Sequence, residues 1–217
     1  MGLDSNFGAP SQRPGVCTST TRPASPFTGQ IIFETDTNRL AVYNGSSWIM
    51  LADADTPSGL ELIKTQTVGS AVSSVTVSDV FSSTYDNYRI IMRFNSSSST
   101  ASHLMQLSGT TSSNYLTSGF YQSWGAAAMT AYSPGFSTTW VLSANNTSTA
   151  ATDIVMDVFS PFSSVRTQGT VNAAAGNGTL DAIVLENTTN SSTGFIISKS
   201  GDTMTGGTIR VYGYRNS

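Results

Sequence analysis

Apolar residues in this chain recur in short runs at every second position, and no run keeps the three-to-four spacing of a helix. Tyr88, Ile90, Met92 and Phe94 share one parity, with Arg89 and Arg93 on the other. Ile154, Met156 and Val158 repeat the pattern between Asp153 and Asp157. Side chains two residues apart lie on one face of a strand, so each run predicts a strand with one buried face. Ile183 and Leu185 oppose Val184. Apolar residues of both parities predict a strand covered on both faces.

From residue 60 onward the pattern predicts strands at 61–68, 72–77, 88–94, 104–107, 140–143, 154–159, 170–173, 180–186, 195–198 and 208–214. This spacing is that of an antiparallel β-sandwich. The polar tracts 95–102, 108–113, 145–152 and 187–194 are the expected hairpin loops. Residues 116–135 carry Phe120, Tyr121, Trp124, Met129 and Tyr132 in a Gly, Ala and Ser background. They are too irregular for a helix face and are expected as a long aromatic-bearing loop or short edge strands. No repeat of 20 to 50 residues emerges.

Three shorter runs lie upstream, at 30–34, 39–43 and 46–51, separated by Thr35-Asp36-Thr37-Asn38 and by Asn44-Gly45. Asn-Gly accepts positive φ at both positions and marks a tight hairpin. The three runs predict a β-meander. Some thirty residues cannot bury a core of their own, so the module is expected to lean on another surface, most simply its own copies. Asp53, Asp55, Pro57 and Gly59 make 52–59 a linker. Pro10 and Pro14 with Gly2, Gly8 and Gly15 make 1–21 an extended assembly arm. The expected fold class is all-β: arm 1–21, meander 22–51, linker 52–59 and a jelly-roll-like sandwich over 60–217.

Composition narrows the function. Only 11% of residues are charged, against roughly 25% in ordinary soluble domains, and Ser, Thr, Asn, Gly and Ala fill the difference. A net charge of −3 leaves no basic field for phosphates, so nucleic acid is not an expected partner. No apolar run approaches the roughly 18 residues of a spanning helix, and no polybasic patch exists, so membrane insertion is not expected. The first ten residues lack a secretory leader, which predicts synthesis in the cytoplasm of the producing cell. Cys17 is the single cysteine, which excludes an internal disulfide or a thiolate cluster.

Candidate chemistry is sparse. His103 is the one histidine, and Ser102 beside it points to the opposite strand face, so adjacency makes no dyad. Asp153 and Asp157 fall on one face about 13 Å apart by strand rise, too far for a glycosidase pair. Asp181 and Glu186 fall on opposite faces. The Gly201–Gly207 stretch has no lysine for a phosphate loop. No cofactor, metal or enzymatic activity is expected. Tyr121, Trp124, Tyr132 and Trp140 are candidates for stacking on a glycan or for packing at a subunit interface.

Residues 22–48 read RPASPFTGQIIFETDTNRLAVYNGSSW. This string resembles a small β-module of tailed-bacteriophage virion proteins, cyanophages included, found in fibre, spike and minor tail proteins. Gly29-Gln30, Glu34-Thr35-Asp36-Thr37, Leu40, Tyr43, Gly45 and Trp48 carry the likeness. Residues 207–214, GTIRVYGY, look like the last strand of the sandwich often attached to that module. The resemblance implies a homotrimeric, non-enzymatic protein of the virion surface, most simply a short tail fibre or spike. Arg22, Pro23, Pro26, Phe27, Phe33, Leu40, Tyr43 and Trp48 would anchor it to other virion proteins of the tail, neck or capsid. Capsid or neck decoration and binding of a host receptor or surface glycan are the alternative roles.

Overall fold

The computed structural model describes residues 14–52, 59–97, 101–143, 150–176 and 178–216. They form sixteen β-strands and no helix. Two compact units divide the chain, residues 1–58 and 59–217.

The first unit is a four-stranded sheet in the order β1 (Gly15–Cys17), β2 (Ile31–Glu34), β3 (Arg39–Tyr43), β4 (Trp48–Ala52). The three expected runs become β2, β3 and β4, joined as antiparallel neighbours. Asn38 at φ 55° and Gly45 at φ 102° make the two reversals. Asn44 contributes through its side chain, whose Oδ1 accepts from the backbone N–H of Ser46 (2.9 Å) and Ser47 (2.8 Å). Part of the expected arm belongs to this sheet: β1 pairs in parallel with β2, Gly15 opposite Ile32. A parallel pair needs a crossover of about a dozen residues, and 18–30 supplies it. Asp36 pins that crossover by accepting from Ser19 N–H (2.8 Å) and Ser19 Oγ (2.6 Å). Residues 1–13 of the arm and 53–58 of the linker lie outside the described residues.

The second unit contains β5 (Leu60–Thr67), β6 (Ser74–Val77), β7 (Asn87–Ser97), β8 (His103–Leu107), β9 (Tyr115–Ser123), β10 (Thr130–Tyr132), β11 (Trp140–Val141), β12 (Thr152–Phe159), β13 (Thr167–Ala175), β14 (Gly178–Glu186), β15 (Phe195–Lys199) and β16 (Met204–Tyr214). They form an eight-stranded sheet, β10-β9-β14-β13-β12-β7-β16-β5, and a four-stranded sheet, β11-β8-β15-β6. The pairs β5·β16, β6·β15, β7·β12 and β8·β11 are all antiparallel. They are the rungs of one long ribbon whose halves are β5–β8 and β11, β12, β15, β16. Successive rungs alternate between the two sheets, so the ribbon is rolled into a jelly roll, closing a core between sheets. Two hairpins, β9–β10 and β13–β14, are inserted in the second half of the ribbon and its turn. Both extend the large sheet beyond β12.

Every strand expected beyond residue 60 is present, and two are added. Of the two expectations for residues 116–135, a long loop or short edge strands, the second holds for β10, a three-residue edge strand, whereas β9 is nine residues long. β9 pairs with β14 on one side and β10 on the other, inside the large sheet. Its inward set is Tyr115, Thr117, Gly119 and Tyr121, and the Thr and Gly in the middle remove the apolar alternation that would announce it. The polar tracts also differ from expectation. None of the four is a hairpin loop: 95–102 leads from β7 to β8, 108–113 from β8 to β9, 145–152 from β11 to β12 and 187–194 from β14 to β15, and each of these pairs of strands lies in different sheets.

The core takes alternate residues from both sheets. Tyr88, Ile90, Met92 and Phe94 of β7 and Ile154, Met156 and Val158 of β12 are buried, as the alternation predicts. Met105, Leu107, Phe195 and Ile197 meet them from the small sheet. Arg89 and Arg93 face outward and bind Asp157 (2.7 Å) and Asp153 (2.9 Å). At the large sheet's edge, β5 and β16 lie side by side, and Arg215 N–H donates to Gly59 O (3.2 Å).

Candidate interaction surfaces

The first unit has one filled face and one open face. Cross-strand partners share a face, so Val16, Phe33 and Leu40 form one row and Ile31, Val42 and Ile49 the next. All six are apolar. Val16 is 69% exposed, Ile31 41% and Ile49 46%, while Phe33, Leu40 and Val42 are half-buried. Phe27, 69% exposed, joins Ile31 and Leu40 around a shallow hollow of about 650 Å³. The opposite face carries Ile32 and Ala41, both buried, beside a buried carboxylate, Glu34. Arg22 Nε donates to Glu34 Oε1 (2.5 Å) and Thr37 Oγ1 to Oε2 (2.8 Å). The Arg22 guanidinium holds the Glu34 carboxyl below its ordinary range, against the opposing effect of burial. Tyr43 and Trp48 pack their rings 5.4 Å apart, on the same face as Ala41. Of the residues expected to anchor the protein, Phe27, Phe33 and Leu40 therefore belong to the open side. Arg22, Tyr43 and Trp48 build the filled one, and Pro23 and Pro26 lie half-buried in the crossover.

The expected aromatic group of the second unit is dispersed. Trp140 is buried completely, edge-on to Tyr115 at 5.4 Å, and offers no face to a ligand. Tyr121 and Tyr132 meet edge to face at 6.5 Å and pack against the core. Burial raises the Tyr132 hydroxyl above its ordinary pKa. Trp124 alone of the four is largely open, at 61%, with its Nε1–H donating to Ala175 O (2.9 Å).

The open part of the second unit is the outer face of β13, β14 and β9. Ala131, Phe120, Asp181 and Asn172 are successive register partners across β10, β9, β14 and β13. Ser118, Ile183 and Thr170 form the adjoining row. Phe120 is 52% exposed and Ile183 66%. Val184 is buried on the other side, so β14 is covered on one face only. The cover expected on both faces is absent because Ile183, which supplied the second apolar parity, is an aliphatic side chain left on an open surface. Asn172 Nδ2 donates to Asp181 Oδ1. These residues bound a hollow of about 660 Å³, and Asn172 and Asp181 also bound a neighbouring hollow of about 330 Å³ over β12 and β13. The aromatic count drew attention to Tyr121, yet strand parity makes Phe120, one residue earlier, the outward ring.

His103, the candidate base, is buried as the first residue of β8, stacked on Phe94 at 4.4 Å. Its Nδ1 shares a hydrogen bond with Ser143 Oγ (3.0 Å). Burial, helped by the Lys199 charge, lowers its pKa to about 3. The ring is neutral and enclosed, and no substrate reaches it. Asp153 and Asp157 are each held by an arginine, and Tyr214 Oη also donates to Asp157 (2.8 Å). Among the described residues, no group of three His, Cys, Asp or Glu side chains converges on a metal-sized site, and no helix is long and apolar enough to cross a membrane. Comparison with protein-family models, with curated proteins and with solved structures gave no match.

Proposed function

We propose that this chain is a non-enzymatic structural protein of a tailed-phage particle, a short homotrimeric tail fibre or spike that docks through residues 1–58. One observation carries the reading: the sheet of the first unit leaves a whole face of aliphatic and aromatic side chains open. Six apolar residues in two adjoining rows form a patch of the kind that marks a protein contact. The same unit has only two fully buried apolar residues, Ile32 and Ala41, among those described. So small a sheet needs cover from outside itself. The residues that resemble the phage module lie in this sheet, so the likeness and the open face support the same role. A capsid or neck decoration protein would use the same contact on a different part of the particle.

The test places charge on the open face. Val16→Asp with Ile49→Asp alters two exposed positions and leaves Ile32, Ala41 and the Arg22–Glu34 pair in place. The double variant is expected to sediment as a monomer where the parent sediments as a trimer, and to be missing from purified particles. A variant that still forms trimers and is packaged normally would overturn the assignment of this face. Gold-labelled antibody against the sandwich then locates the protein on tail or head.

A further inference from the structure

We infer that the outer face of β9, β13 and β14 is a binding site for neutral saccharides, centred on Phe120, Asp181 and Asn172. The site stands on the sandwich alone and needs neither the trimer nor the virion reading.

The argument begins with register. Phe120, Asp181 and Asn172 sit directly opposite one another on three adjacent strands, which run about 4.8 Å apart. The row therefore spans about 10 Å, the reach of one or two sugar rings. A hexose has an apolar face of C–H groups and a rim of hydroxyls. Phe120, half exposed, supplies a flat apolar ring to stack against the first. The carboxylate and amide beside it supply planar groups for the second. Asn172 donates one amide hydrogen to Asp181 Oδ1. That bond fixes the two planes against each other and leaves Asp181 Oδ2, the Asn172 carbonyl and its second N–H for adjacent sugar hydroxyls. Fixing polar groups before the ligand arrives lowers the ordering cost of binding.

Two further observations specify the ligand. The lining of the hollow holds the hydroxyls of Ser118, Ser133 and Thr170, one carboxylate and no cation. Such a surface repels phosphates, sulfates and acidic sugars and suits an uncharged polyol. The Asn172–Asp181 pair is also shared by both hollows. A chain of sugars could therefore run from Phe120 across the pair toward Val155. The two arginine–aspartate pairs on β7 and β12 close the charges on the neighbouring part of the sheet.

Saturation-transfer NMR on the full chain tests this, with maltose, cellobiose, lactose and mannobiose as probes. At least one is expected to receive saturation. Phe120→Ala and Asp181→Ala should each weaken that binding by about tenfold, while Phe159→Ala, elsewhere on the same outer face, leaves it unchanged. No transfer to any of the four would overturn the inference, as would transfer that persists in Phe120→Ala. Self-association that protects this row and is abolished by Phe120→Ala would overturn it too, by showing that a second copy covers the face. The Val16 and Ile49 substitutions do not touch this row, so failure of the docking proposal and failure of the saccharide site read out separately.

Discussion

At the scale of single residues, two buried ionisable groups follow opposite logic. Glu34 keeps its charge under cover because Arg22 and Thr37 satisfy both of its oxygens. His103 has lost its charge to burial instead. The consequence for stability has a definite sign. An unfolded histidine takes up its proton near pH 6.5, whereas the folded ring does so only near 3. Across that window the unfolded chain binds more protons, so stability falls as pH drops from about 6.5 toward 3, and the contribution is flat below. Between about pH 7 and about pH 5 the loss from this residue is about 2 kcal/mol. The Asp157 carboxyl, held low by Arg89, adds its own loss only in more acid solution, below its unfolded range. Denaturant titrations at the two pH values should show the drop in the parent chain. His103→Phe, which retains an aromatic ring against Phe94, should show little of it. An equal drop in both proteins would mean that another group controls the window.

At the scale of elements, β9 is the informative strand. It sits one strand in from the edge of the large sheet and pairs closely with β14 because Gly119 presents no side chain opposite Ala182. A Cβ there would collide with the Asp181 carbonyl and the Ala182 backbone. Gly119→Ala must push the two strands apart, at a cost of about 1–3 kcal/mol, seen as a lower melting temperature. Ser118→Ala, exposed on the other face of the same strand, should melt like the parent. The same residue explains what the sequence could not reveal. β7 and β12 were legible because each buries a run of large apolar residues at every second position. β9 turns Tyr115, Thr117, Gly119 and Tyr121 inward, a set that alternates in geometry but not in hydrophobicity. β1 was hidden for a related reason: Gly15, Val16 and Cys17 form a strand only because β2 offers a partner edge. The outer-face site was illegible at Asp181 and Asn172, which are nine residues apart in sequence and meet only through the β13–β14 register. Aromatic content could flag the region of Phe120, but only strand parity separates that ring from Tyr121.

At the scale of the whole molecule, the two units have unequal means of standing alone. The sandwich core draws all its members from residues between Val68 and Val211, so residues 59–217 should fold without the first unit. Expressed alone, that segment is expected to keep the near-ultraviolet circular dichroism of the enclosed Trp140–Tyr115 pair. Loss of that signal would show that the sandwich depends on residues 1–58. Folding should be slow for its size, because every ribbon rung joins strands distant in sequence. The first unit has only Ile32 and Ala41 as fully buried apolar residues among those described, and one apolar face is left open. The meeting of β5 and β16 has a consequence for engineering. Because Gly59 and Arg215 are hydrogen-bonded neighbours, a short splice could join the two ends of the sandwich and new ends could be opened in the 187–194 crossing. The circularly permuted chain would form the same four rungs in a different order of synthesis. A passenger peptide fused after β16 would leave from the corner where β5 enters, away from the Phe120 row on the far strands of the sheet.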